Sequence, residues 1–238
     1  MNNNLTKRDL DLVKKAMLAS HCSSMGMHLI GCETQAQASK EKAKSTAAAT
    51  YISFEKGYNA LWKMVEANAE SGIYSKSEEI PPTKLSEFAI SAEKMSELRE
   101  LIYSDQTDDS PLYEECDYTV GVLLAFYELS TKLFDDARYD EATAAFIFLT
   151  TVDKNIHSFW LGLALCYEKN LDFMKALEVY ELAIHLEPSN FTPFYGILRC
   201  SESIKDFSKA LELLEKYKDN EEIKQEIDES LLYIKSKK

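Results

Sequence analysis

Displaced by 34 residues against itself, the sequence aligns DFMKALE (172–178) with DFSKALE (206–212), six identities in seven. The same displacement pairs Gly162 with Gly196, Cys166 with Cys200 and Glu168 with Glu202. One further step backwards reaches RYDEATA (138–144), so that Tyr139, Phe173 and Phe207 fall in register, as do Ala142, Ala176 and Ala210. A unit that recurs at this spacing must bury its apolar side against its neighbours, because one copy is too small to close a core alone. Only 7 glycines and 5 prolines occur in 238 residues, too few for the turns of a sandwich or barrel. The expectation is an all-α chain.

A 34-residue period in helical composition is the signature of tetratricopeptide repeats, in which two antiparallel helices meet through small residues flanked by large ones. The copy at about 157–190 carries Trp160, Leu163, Ala164, Tyr167, Ala176, Tyr180, Ala183 and Pro188 at the marker positions. Ala164 and Ala176 keep bulk out of the helix crossing, the aromatic residues fill the space beside it, and Pro188 stops the second helix. A copy at about 123–156 offers Phe126, Leu129, Ser130, Leu133, Ala142, Phe146 and Leu149, without the closing proline. The copy at about 191–224 offers Phe194, Ile197, Leu198, Ala210, Leu214 and Tyr217, with Leu198 where a small residue is usual. Beyond them Ile223, Ile227, Leu231 and Ile234 recur at helical spacing, the pattern of a helix that caps the last copy. Three repeats and a capping helix are therefore expected over 118–238.

Upstream no such period occurs. Residues 105–117, DQTDDSPLYEECD, are acidic and hold a proline, and read as a linker. Residues 1–104 are expected to form a helical region of three segments. The first begins at Thr6 and Asp9 with Leu10, Val13 and Met17 on one face; the second runs from about 36 to 70 through Tyr51, Phe54, Tyr58, Leu61, Trp62 and Val65; the third spans about 84–103 after Pro81 and Pro82.

Composition also limits function. With 27 basic and 40 acidic residues the formal charge is −13, which opposes binding to nucleic acid or an anionic membrane. No run of 18 apolar residues argues for membrane insertion, and the N-terminus lacks a signal-peptide core. Five cysteines without paired short spacing suit a reducing compartment, so a cytoplasmic protein is expected. His21, Cys22, His28 and Cys32 are potential zinc ligands, but only His28 with Cys32 has near-ligand spacing, and no metal site is expected. Cys166 and Cys200 occupy equivalent small-residue positions, which suits inert packing. His157 and His185 fit ordinary helix positions, and no phosphate-binding loop is present. No catalytic residue, enzyme activity or cofactor is expected.

What such repeats offer is a concave face lined by the first helix of each pair. The residues placed there by register are Tyr127, Leu161 and Tyr195, then Thr131, Leu165 and Arg199, with Phe134, Glu168 and Glu202 near the edge. An apolar and aromatic lining suits an extended peptide with spaced hydrophobic anchors. The alternative reading is a scaffold or regulator that assembles other cytosolic partners through the same repeats.

Residues 118–220 resemble the type III secretion translocator chaperones of the SycD/LcrH type. The segment FWLGLALCYEKNLDFMKALEVYELAIHLEP carries the resemblance, together with Tyr139, Ala142, Phe146, Leu149 and Asp153 before it. The resemblance implies a non-enzymatic, cytosolic chaperone that binds an apolar motif of a secreted translocator and keeps it unassembled before export. It also implies a homodimer formed through an N-terminal helical arm, whereas here more than 100 residues precede the repeats.

Overall fold

The computed structural model describes residues 32–68, 85–104 and 111–237, and within them the fold is all helix and turn. The expected helix around 6–18 lies outside the described residues. Helix α1 (Cys32–Asn68) is followed by a 3₁₀ turn (Leu85–Glu87), α2 (Ala92–Ser104) and the short α3 (Leu112–Glu115). Three helical hairpins come next: α4 (Val120–Asp135) with α5 (Tyr139–Val152), α6 (His157–Lys169) with α7 (Phe173–Leu186), and α8 (Thr192–Ile204) with α9 (Ser208–Lys216). Helix α10 (Lys224–Ser236) ends the chain's described part.

The 34-residue register is written into the hairpin turns. Ala137, Leu171 and Lys205, each 34 positions from the next, take left-handed backbone with φ of 58°, 62° and 58°. At each turn the following N–H reaches back to a carbonyl five residues earlier: Arg138 to Leu133, Asp172 to Tyr167 and Asp206 to Ser201, all at 2.9 Å. This pair of left-handed residue and back-bond satisfies carbonyls that a helix end leaves unpaired. Tetratricopeptide-like packing follows inside the hairpins. Ala142, Ala176 and Ala210 are buried at the crossings, and Trp160 is buried with its indole N–H donating to the Lys154 carbonyl at 2.8 Å. Ile223, Ile227 and Ile234 are fully covered, so α10 seals α9 as its spacing implies.

The half without a repeat joins the same core. Phe54 and Tyr58 of α1 pack at a tilt against Phe148 of α5, with ring centroids 4.9 and 5.9 Å away. Gly57 lies between them at the helix crossing, where a Cβ would stand 2.1 Å from the Ala144 carbonyl oxygen. Close approach of α1 to α5 therefore requires glycine there.

The expected helix over 84–103 is interrupted, and the interruption has a cause. Phe88 leaves the helical path to bury its ring edge-on against Phe126 at 5.2 Å. Its carbonyl accepts the Tyr118 hydroxyl, and the Ile90 N–H donates to the Tyr58 hydroxyl, both at 3.0 Å. Ser91 then caps a new helix, its hydroxyl accepting the Lys94 N–H at 3.1 Å. Tertiary hydrogen bonds outweigh the continuous helical pattern of the sequence. Of residues 105–117, the described part 111–117 holds α3, with Leu112 in it and Cys116 at its C-cap both buried.

Candidate functional site

Helices α4, α6 and α8 are the first members of the hairpins, and each carries the residues placed there at i, i+3 or i+4, and i+7 spacing. On α4 the stripe is Leu124, Tyr127, Thr131 and Phe134. The half-buried Tyr127 ring sits between Phe146 and Phe159, 6.0 and 5.8 Å away. The Thr131 hydroxyl donates to the Tyr127 carbonyl at 3.0 Å, and Phe134 meets Tyr139 edge-on at 5.4 Å. On α6, Leu161 and Leu165 are half-buried. On α8, Tyr195 is 50% exposed, with its ring against Phe191 at 4.8 Å.

Glu168 ties α6, α7 and α8 together. Its carboxylate accepts the Tyr180 hydroxyl at 2.6 Å and the Arg199 Nε and Nη2 at 2.8 and 2.9 Å. Burial pushes the Glu168 carboxyl up, but hydrogen bonds from Arg199 and Tyr180 and the guanidinium charge outweigh it and hold it below the ordinary value. Burial and the Glu168 bond push Tyr180 up, and the same carboxylate holds Arg199 well above its usual value. Arg199 and Glu168 thus serve chiefly as a fork-to-carboxylate post between α6 and α8. Glu202 is engaged in a comparable way from the capping helix, accepting the Tyr233 hydroxyl at 2.8 Å and the Lys237 ammonium at 2.7 Å.

The nine residues placed on the inner face by register therefore divide into two groups. Tyr127, Thr131, Leu161, Leu165 and Tyr195 form an uncharged stripe that runs across α4, α6 and α8, with Phe134 at its margin. Glu168, Arg199 and Glu202 form bridges that fix its far end. No hydrogen bond, ion pair or ring contact joins any of the nine to α1 or α2 among the described residues. Helix α1 docks instead on the α5 face of Ala144 and Phe148, about half a turn from Phe146, which meets Tyr127.

Register alone missed Leu124, Leu198, Glu226, Glu229 and Tyr233. Leu124 is 38% exposed at the start of the α4 stripe, one turn before Tyr127. The other four line a cleft of about 570 Å³ between α8 and α10, with Tyr195, Arg199 and Glu202 among its walls. Leu198 had a signal in its departure from the small residue usual at that position. The α10 residues had none, since they lie off its apolar face.

The three described buried cysteines offer no nucleophile. Burial pushes the thiols of Cys116, Cys166 and Cys200 up to about 12, and an activated thiol needs the opposite shift. His185 takes part in ordinary helix contacts, its Nδ1 at 2.7 Å from the Glu181 carbonyl. No group of three or more metal-binding side chains exists among the described residues. Of the four weighed as zinc ligands, His21, Cys22 and His28 lie outside the described residues, and Cys32 begins α1. No described helix is long and apolar enough to cross a membrane.

No family model and no curated protein matches the chain. Among solved structures it is similar to a chain of a T3SS complex from Aeromonas hydrophila, at 17% identity and a TM-score of 0.48, over 60% of this chain and 97% of that one. It is similar to the type III secretion translocator chaperone SycD of Yersinia enterocolitica, at 16% identity and a TM-score of 0.44, over 52% and 98%. It is also similar to a chain of the CopN–Scc3 complex, at 17% identity and a TM-score of 0.47, over 71% and 96%.

Proposed function

We propose that this protein is a non-enzymatic chaperone of type III secretion. It holds an extended, apolar segment of a secreted translocator-type protein on the inner face of α4, α6 and α8, and keeps that client unassembled in the cytosol before export. The observation that carries the reading is the uncharged stripe Leu124, Tyr127, Leu161, Leu165 and Tyr195. It is partly exposed, and the middle hairpin beneath it has the sequence that resembles the translocator chaperones. Water-exposed aromatic and aliphatic side chains in a row favour a partner that removes them from water.

The stripe also sets a length. Neighbouring helices lie about 8–10 Å apart, so two steps from α4 to α8 cover roughly 20 Å. An extended chain advances about 3.3 Å per residue, which places two anchors about six residues apart. Affinity would come from these few buried anchors, and micromolar binding is the expected scale.

The test is the double variant Leu161→Asp with Tyr195→Asp, co-expressed with the secreted, membrane-inserting protein of the same secretion apparatus. Each substitution places a carboxylate in the stripe and should weaken capture by roughly a hundredfold or more together, with far-UV dichroism unchanged. Unchanged capture by a folded variant overturns the groove assignment. Capture of cytosolic machinery in place of a secreted client favours the scaffold reading.

A further inference from the structure

The two ends of the inner face differ in charge, and the difference bears on what the face selects. At the α4 and α6 end Tyr127, Thr131, Leu161 and Leu165 carry no charge. At the α8 end the cleft against α10 is lined by the apolar and aromatic side chains Tyr195, Leu198 and Tyr233 together with three carboxylates, Glu202, Glu226 and Glu229. Its basic residue, Arg199, is committed to Glu168 through two hydrogen bonds. Glu202 is matched by Lys237. Glu229 accepts only a neutral amide, from Gln225 at 3.0 Å, and Glu226 has no basic partner among the described residues. The cleft therefore keeps two carboxylates without a counter-charge beside half-exposed aromatic surface.

The chain itself supplies an example of the group that fits. The Lys237 ammonium lies 2.7 Å from the Glu202 carboxylate and 5.0 Å from the centroid of the Tyr233 ring. A carboxylate and an aromatic face thus already hold one ammonium at the rim, the combination that favours a cation on partly desolvated surface. A lysine or arginine entering the cleft would repeat the arrangement one turn along α10. Its aliphatic stem would cover Tyr195 and Leu198 while its head reached Glu226 and Glu229.

We infer that the cleft between α8 and α10 receives a basic side chain of the bound segment next to its second apolar anchor. The inference rests on the peptide-binding reading above and extends it: the preferred segment has an apolar anchor at Tyr127, a second at Leu165 and Tyr195, and a lysine or arginine immediately after the second. Charge at one end alone also fixes the direction in which the segment lies.

The experiment uses the full chain and fluorescein-labelled peptides about ten residues long that differ at a single position. Each has two leucines about six positions apart on a serine and glutamine background, followed by lysine, glutamine or glutamate. Fluorescence anisotropy should show the lysine peptide binding about five- to tenfold more tightly than the glutamine peptide, and the glutamate peptide most weakly. Raising the salt from about 0.05 M to about 0.5 M should shrink that preference. The variant Glu226→Gln with Glu229→Gln should abolish it, so that the lysine and glutamine peptides bind alike. Equal binding of the lysine and glutamine peptides overturns the inference and leaves the groove standing. A preference that persists in the double variant overturns the assignment to these carboxylates. Failure of every peptide to bind removes the groove reading, and this inference with it.

Discussion

Gly196 allows the third hairpin to seat against the second, and its replacement by alanine should be costly in a way that can be dissected. A Cβ at this position of α8 would lie 2.2 Å from Tyr180 Cζ and 2.5 Å from both Cε atoms. The ring would have to retreat by more than ~1 Å to restore ordinary carbon contact. Tyr180 has nowhere to go: it is fully buried, and its hydroxyl is fastened to Glu168 at 2.6 Å. Overpacking of this kind costs about 1–3 kcal/mol. Weakening a hydrogen bond to a carboxylate adds about 1.5–3 kcal/mol, and the better helix propensity of alanine returns about 1 kcal/mol. The net expectation for Gly196→Ala is a loss of about 1.5–5 kcal/mol, read from urea unfolding followed by far-UV dichroism. In a Tyr180→Leu background the ring is gone, and the same substitution should be neutral or stabilising by up to about 1 kcal/mol. The coupling between the two sites should therefore be about 1.5 kcal/mol or more. A Gly196→Ala protein within about 0.5 kcal/mol of the parent in the Tyr180 background would refute the packing argument.

Three further substitutions test other parts of the fold. Leu171 is 72% exposed and holds a left-handed φ of 62°, so Leu171→Gly should relieve backbone strain with little lost packing and raise stability by about 0.5–1 kcal/mol. A lower urea midpoint would contradict this. Acid sensitivity should arise in two steps. Burial depresses the His157 pKa against the raising influence of Glu187, so its contribution is present above the unfolded value of about 6.5 and is lost as pH falls towards the folded value. Glu168, also depressed, contributes stability above the ordinary carboxyl range that is lost at lower pH still. Urea midpoints measured from about pH 7.5 to about pH 2.5 should decline, with His157→Leu flattening the upper step and Glu168→Gln the lower. Parallel curves for parent and variants would remove these groups as the cause.

How much of this was legible in the sequence can be traced residue by residue. The hairpins were readable because burial recurs with the repeat: Ala142, Ala176 and Ala210 share one environment, and so do the turns at Ala137, Leu171 and Lys205. The inner-face stripe is proposed from the same register. The break at Phe88 was not readable, because its causes are the Tyr58 and Tyr118 hydroxyls, which lie 30 and more positions away in sequence. Nor did the sequence disclose that Glu168 and Arg199, 31 positions apart, would meet each other. Register equates Glu168 with Glu202 and Leu165 with Arg199, but says nothing of contacts between copies. The cleft was hidden for a related reason: it is formed by the polar side of α10, where no period marks Glu226, Glu229 or Tyr233.

The central claim is that a client segment lies on the α4, α6 and α8 face, and photo-crosslinking in the native cell tests it most directly. A benzophenone side chain introduced in place of Thr131 or Leu165 should yield an adduct with a single secreted, membrane-inserting protein. The same side chain at Glu178, an exposed position on α7, should yield none. Adducts from Glu178 but not from Thr131 or Leu165 would contradict the account and move the client to another surface.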